Sequence, residues 1–278
     1  SGSTETNDEQ FVAPSEDIAI MAVSAQRPDD LRREPVLPPG FSLVALRESG
    51  DAFAHACAIA SEAGAATLVW TRRFDIIEFA VVLEPERPLG EARLAQYLAM
   101  NALADALAVH SPPERPILFR WPDALIYDLG LIGGGRLAWP EGCGEDAVPD
   151  WLVFGAMLRA TTMTPFAAGH VGVGMAEEGF EEVDAVDLIE AFARHLMLGV
   201  TRWQSDGAKA TALRWLDRLD KVPGTRHGID PNGDLVVTTQ AGTGRRRPTR
   251  PGSIRRRGRP SAPASSASRV SAGARWRW

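Results

Sequence analysis

The run Ile76-Ile77-Glu78-Phe79-Ala80-Val81-Val82-Leu83 constrains the fold most, because apolar side chains alternate onto both faces and only one glutamate interrupts them. Such a segment reads as a strand inside a sheet, not at its edge. Around it, strand-like runs alternate with helical ones. Strands are predicted at 41–46, 66–70, 117–120, 124–127, 136–139 and 151–161. The turn Ser49-Gly50-Asp51 offers an N-cap to a helix over 52–62, and Pro88 opens a long amphipathic helix that runs to Val109. A second long helix is expected over 184–203, then a shorter one over 208–219 and a hairpin over 228–238 turned by Asp230-Pro231-Asn232-Gly233. The pattern is that of an α/β domain followed by a small β-containing extension.

Charge divides the chain sharply. Residues 245–278 hold eleven Arg and no acid, so residues 1–244 carry 19 basic against 36 acidic residues, a formal charge of −17. A body of that sign repels phosphate backbones, which argues against nucleic acid as its partner. The basic tail is almost entirely Arg, Pro, Ser, Ala and Gly and cannot bury a core, so disorder is expected there. It reads either as a basic arm for nucleic acid or an acidic partner, or as the out-of-frame end of a high-GC gene, with which 28 Arg against two Lys agrees. Residues 1–35 read as a flexible arm with one apolar island, 18–23, that is expected to dock as an extra strand if it docks at all. Cys57 and Cys143 stand alone, without disulfide or zinc spacing, and no window is apolar enough for a membrane helix. The expected location is the cytoplasm.

Four short words occur in a telling order: Ser49-Gly50-Asp51 before the first helix, Trp70 in the strand after it, Trp121-Pro122-Asp123 after the long helix, and Trp203-x-x-x-Gly207 at the end of the next. Over about residues 40–205 this order resembles the catalytic domain of the biotin and lipoate protein ligases, in particular a divergent bacterial family described as biotin/lipoate A/B protein ligase-like. The ligases have Ser-Thr-Asn, a strand tryptophan, Trp-Pro-Asn-Asp and a Lys-x-x-Gly strand at the corresponding places. The resemblance implies a central mixed β-sheet flanked by helices, and a division into an arm (1–35), a ligase-like domain (36–205), a small C-terminal subdomain (206–244) and the tail (245–278).

It also implies a chemistry: ATP with Mg activates biotin, lipoate or octanoate to an acyl-adenylate, and the acyl group passes to a lysine of a carrier protein. That reaction needs cationic donors, because negative charge builds as pyrophosphate leaves. Here the loop Ser61 to Trp70 contains no arginine, Leu131 stands where the lysine belongs, and the two lysines of the chain are Lys209 and Lys221. Arginine is the available substitute. Arg72 and Arg73 follow Trp70, Arg120 precedes Trp121, and Arg136 follows Gly133-Gly134-Gly135. A guanidinium grips carboxylate or phosphate bidentately but does not reproduce a lysine point charge.

The glycine triplet fits no phosphate-loop pattern and reads as a bulge or tight turn between strands, with backbone approach to a ligand as the functional alternative. Asp123 keeps one carboxylate of the ligase Asn-Asp pair, or only caps the turn after Pro122. Trp70 and Trp121 read as core or pocket wall. The expected ligand-binding set is therefore Trp70, Arg72, Arg73, Arg120, Trp121, Asp123, Gly133, Gly134, Gly135 and Arg136, serving either a transferase or a non-catalytic binding or assembly module.

Overall fold

A computed structural model of the chain describes residues 33–161, 172–180 and 183–246. The apolar island at 18–23 and all of the tail after Arg246 lie outside them. Ten strands and four helices follow in the order β1 (Ser42–Leu46), α1 (Ala52–Ala63), β2 (Thr67–Thr71), β3 (Ile76–Leu83), α2 (Leu89–Ala92), α3 (Ala95–Ala108), β4 (Leu118–Arg120), β5 (Ala124–Tyr127), β6 (Gly130–Ala138), β7 (Leu152–Arg159), α4 (Ala185–Asp217), β8 (Arg226–Ile229), β9 (Leu235–Thr239) and β10 (Gly242–Arg246).

Seven strands form one sheet in the order β1-β2-β3-β7-β6-β5-β4, with β1 parallel to β2 and every other pair antiparallel. The mixed sheet flanked by helices is thus the architecture. The apolar run Ile76–Leu83, β3, lies inside it and pairs with β7 from Ile76↔Arg159 to Leu83↔Leu152. Alternation then sorts the side chains. Ile77, Phe79 and Val81 face the large core under α3 and α4, whereas Ala80 and Val82 face α1 with Phe53, Ala56, Cys57 and Ala60. Two faces covered by two helical layers explain why β3 has no polar side except at Glu78.

Of the two readings of the glycine triplet, the tight turn is corrected and the bulge is met: Gly133, Gly134 and Gly135 lie inside the nine-residue β6, and the register against β5 shifts from Leu125↔Gly133 to Ile126↔Leu131, leaving Ile132 without a partner there. Space explains them. A Cβ on Gly135 would lie 2.3 Å from the ring of Phe154, and one on Gly133 would lie 2.3 Å from the carbonyl oxygen of Met157. The helices expected over 184–203 and 208–219 follow one another in α4, separated at Gly207, whose backbone (φ 81, ψ 166) is not helical.

The C-terminal strands make a separate sheet in the order β10-β9-β8. Its hairpin turn is pinned to α3 and to the segment before it, since Tyr97 Oη donates to Gly233 O at 2.6 Å and Arg93 Nε to Asn232 O at 2.6 Å. Strand β10 takes in Arg245 and Arg246, the first two residues of the expected tail. Among the described residues no helix is long and apolar enough to cross a membrane.

Candidate functional site

The site is built where the C-terminal end of β1 meets the start of α1. Asp51 has an extended backbone (φ −123, ψ 104), and its side chain accepts the Ala54 N–H at 2.8 Å, which starts the helix. Replacing Asp51 with alanine is expected to cost about 1 kcal/mol, read as a lower urea midpoint at unchanged slope. The next backbone amide, Ala52 N–H, reaches across to Glu78 Oε1 at 2.9 Å. Glu78 is buried, and burial raises its ionisation above the ordinary carboxylate range although the Ala52 hydrogen bond opposes the shift. Across the ladder Glu78 pairs with Thr71, a fully buried residue whose hydroxyl has no hydrogen-bond partner among the described residues.

Arg136 comes in from β6 on the same face. It is 8% exposed, and its guanidinium carbon sits 3.9 Å from the ring centroid of Phe53, a cation–π stack. The stack depends on a glycine. Arg136 pairs with Gly155 of β7, and a Cβ there would lie 2.3 Å from the Phe53 ring. Thus α1 lays its phenyl ring into the gap left by Gly155, and the arginine lies along it. Burial lowers the Arg136 pKa, and the nearby Asp51, Cys57, Glu78 and Asp123 oppose that shift. Asp123 in turn is pushed up to about 6 by burial, partly offset by Arg136. Cys57 is pushed up to about 12 by burial, which keeps it a thiol and no nucleophile.

Beside this cluster opens a recess of about 500 Å³ lined by Arg47, Glu48, Ser49, Arg73, Phe74 and Asp75. Arg73 joins the two, because its charge acts on Glu78 while its Nε and Nη2 hold both oxygens of Asp75 at 3.1 and 3.0 Å.

The expected residues therefore divide. Arg73, Asp123 and Arg136 come together on the α1 face. Trp70 is fully buried in the opposite core, and Arg72 lies 5.5 Å over its ring while pairing with Glu34 at 2.9 Å. Trp121, which follows β4 and precedes the cis Pro122, packs on Tyr97 and Trp215, again on the helical side. Arg120 lies in β4, the terminal strand of the sheet, is half exposed, and sits 3.5 Å from Asp220. Residues not expected were Phe53, Thr71, Glu78 and Gly155. Glu78 alone had a sequence signal, as the one charge inside an apolar strand. Among the described residues, no group of His, Cys, Asp and Glu is placed to hold a metal ion.

Comparison with known proteins identifies the fold and the family. A search of curated proteins finds no match. Among solved structures, a biotin protein ligase-like protein of unknown function from Silicibacter sp. TM1040 is 25% identical with a TM-score of 0.68, over 76% of this chain and 96% of that one. The biotin protein ligase of Aquifex aeolicus shares the fold at 12% identity and a TM-score of 0.58, over 74% of this chain and 95% of its own. The same enzyme has been solved in complex with biotin and ATP, and that structure also matches at 12% identity and a TM-score of 0.58, over 73% of this chain and 94% of its own. Residues 37–217 match the model of the Biotin/lipoate A/B protein ligase family, and with most of its length so matched the chain belongs to that family.

Proposed function

We propose that this protein is a binding homologue of the ligases that has given up adenylation: it takes a carboxylated cofactor of the biotin, lipoate or octanoate class, or its acyl-adenylate, at the recess beside Ser49 and Arg73. One observation carries the reading. Each of the four arginines expected to stand in for the absent lysine is engaged by the chain itself, Arg72 with Glu34, Arg73 with Asp75, Arg120 near Asp220, and Arg136 against Phe53 among three carboxylates. Leu131, at the lysine position, is the second residue of β6, with its carbonyl accepting Val173 N–H at 3.1 Å.

A triphosphate would have to draw these cations away from buried or paired acids while itself bringing negative charge toward Asp51, Glu78 and Asp123. That is the reverse of the preorganised positive site that adenylation needs. The residues present do not fit ATP with Mg, and no reaction step is assigned to them. A carrier or enzyme-subunit protein would then be a partner in binding or assembly, not an acceptor of acyl groups.

The test uses two measurements on the folded chain. ATP–pyrophosphate exchange with Mg and biotin, lipoate or octanoate should stay at the background of the reaction without protein. Calorimetric titration with the same acids, and with biotinyl-adenylate, should give saturable heat for at least one. Exchange with any acid overturns the non-catalytic reading, and no binding by any of them overturns the ligand class.

A further inference from the structure

On the opposite side of the sheet from the recess, the break in α4 at Gly207 leaves a cavity of about 80 Å³ against α3. A single water needs only about 10–15 Å³ of such space, so several heavy atoms fit. Seven polar side chains line it: Asn101 and Asp105 from α3, and His195, Arg202, Asp206, Thr211 and Arg214 from α4.

Their hydrogen bonds define what is left over. Asp105 gives one oxygen to Arg214 Nη2 at 2.6 Å and the other to Arg218 Nη2 at 2.7 Å, and His195 Nδ1 lies 4.0 Å away. Both oxygens of the aspartate are thus engaged by arginines, and it anchors Arg214 at the cavity wall. Arg202 makes no ion pair among the described residues. Asn101 is 4% exposed and donates Nδ2 to Thr211 O at 3.1 Å, which fixes the amide orientation; its Oδ1 has no partner. The cavity therefore presents cationic donors together with a buried acceptor and the Asp206 carboxylate.

We propose that this cavity is a binding site for a small oxyanion that carries its own hydrogen, hydrogenphosphate being the type. Arg202, Arg214 and His195 donate to the charged oxygens, and Asn101 Oδ1 and Asp206 accept from the P–OH group. An acceptor pair at the same site rejects a fully deprotonated anion of equal size, because two sets of lone pairs then face each other without a proton between them. Sulfate is that anion at neutral pH. The site is independent of the ligase-like recess, which opens between the loop after β1 and the loop after β2.

Titration calorimetry of the whole chain at constant ionic strength and pH 7, with sodium phosphate and then sodium sulfate, tests the proposal. Phosphate should bind saturably, and sulfate at least tenfold more weakly. Arg202→Gln, at an exposed helix position, should keep the melting temperature of the ligand-free protein and weaken phosphate at least tenfold; His195→Gln should weaken it as well. No saturable phosphate binding, equal binding of sulfate, or undiminished binding by Arg202→Gln overturns the site.

Discussion

Gly133→Ala is expected to destabilise the protein by about 3 kcal/mol, near the upper end for an overpacked core position. The added Cβ would lie 2.3 Å from Met157 O and 2.8 Å from Leu158 Cα. Both are backbone atoms of β7, which pairs with β6 along this stretch, so neither can retreat without opening the ladder at Gly133↔Leu158. Gly144→Ala supplies the control, since a Cβ there meets nothing within 4 Å, and its effect should stay within about 0.5 kcal/mol. Urea denaturation measures both. The result bears on function as much as on stability. A Gly133→Ala protein with normal stability but no ligand binding would return the triplet to the role of ligand approach and overturn its role in packing.

The fold was largely legible because its signals are local and repeated. Apolar alternation located β3, the Asp51 cap located α1, and the Asp230-Pro231-Asn232-Gly233 turn located the β8–β9 hairpin. Gly133 to Gly135 read as a bulge or a tight turn because glycine is a turn residue by default; the bulge stands beside Gly133, while the tight turn gives way to close contacts of Gly133 with β7 backbone and of Gly135 with the Phe154 ring, partners that sequence adjacency cannot reveal. Gly207 ends a helix in the sequence and breaks the helical backbone in the structure.

The site was less legible than the fold for a related reason. Proximity to a motif word along the chain does not fix where a side chain goes. Arg72 and Arg73 are adjacent in the loop after β2, and one lies over Trp70 while the other lines the recess. The Phe53–Gly155–Arg136 contact joins three elements distant in sequence, and nothing in any one of them announces the other two. What the sequence did carry was the deficit itself, a loop without arginine and a core without lysine. The structure adds how the remaining cations are employed.

Arg136 gives the sharpest test of that employment. Arg136→Met keeps much of the aliphatic stem over Phe53 and removes the charge that faces Asp51, Glu78 and Asp123, so at pH 8 it is expected to lose about 3 kcal/mol. The loss should shrink at pH 5, and the direction follows from Asp123. Its carboxyl ionises at about 6 in the fold against an ordinary 3.8. Below 3.8 it is neutral in both folded and unfolded chains and costs nothing. As pH rises from 3.8 to 6 the unfolded chain gives up the proton first, so stability falls, and above 6 the full cost, on the order of 2–3 kcal/mol, is present. Arg136 reduces that cost by favouring the anion. Without it the cost at pH 8 grows, while at pH 5 the carboxyl already holds its proton and the arginine is missed less. Adding Asp123→Asn to Arg136→Met should therefore restore part of the stability at pH 8 and little at pH 5, a coupling that a double-mutant cycle isolates. An equal loss at both pH values, unrelieved by Asp123→Asn, would show that Arg136 is held for its packing on Phe53 and not for its charge beside Asp123.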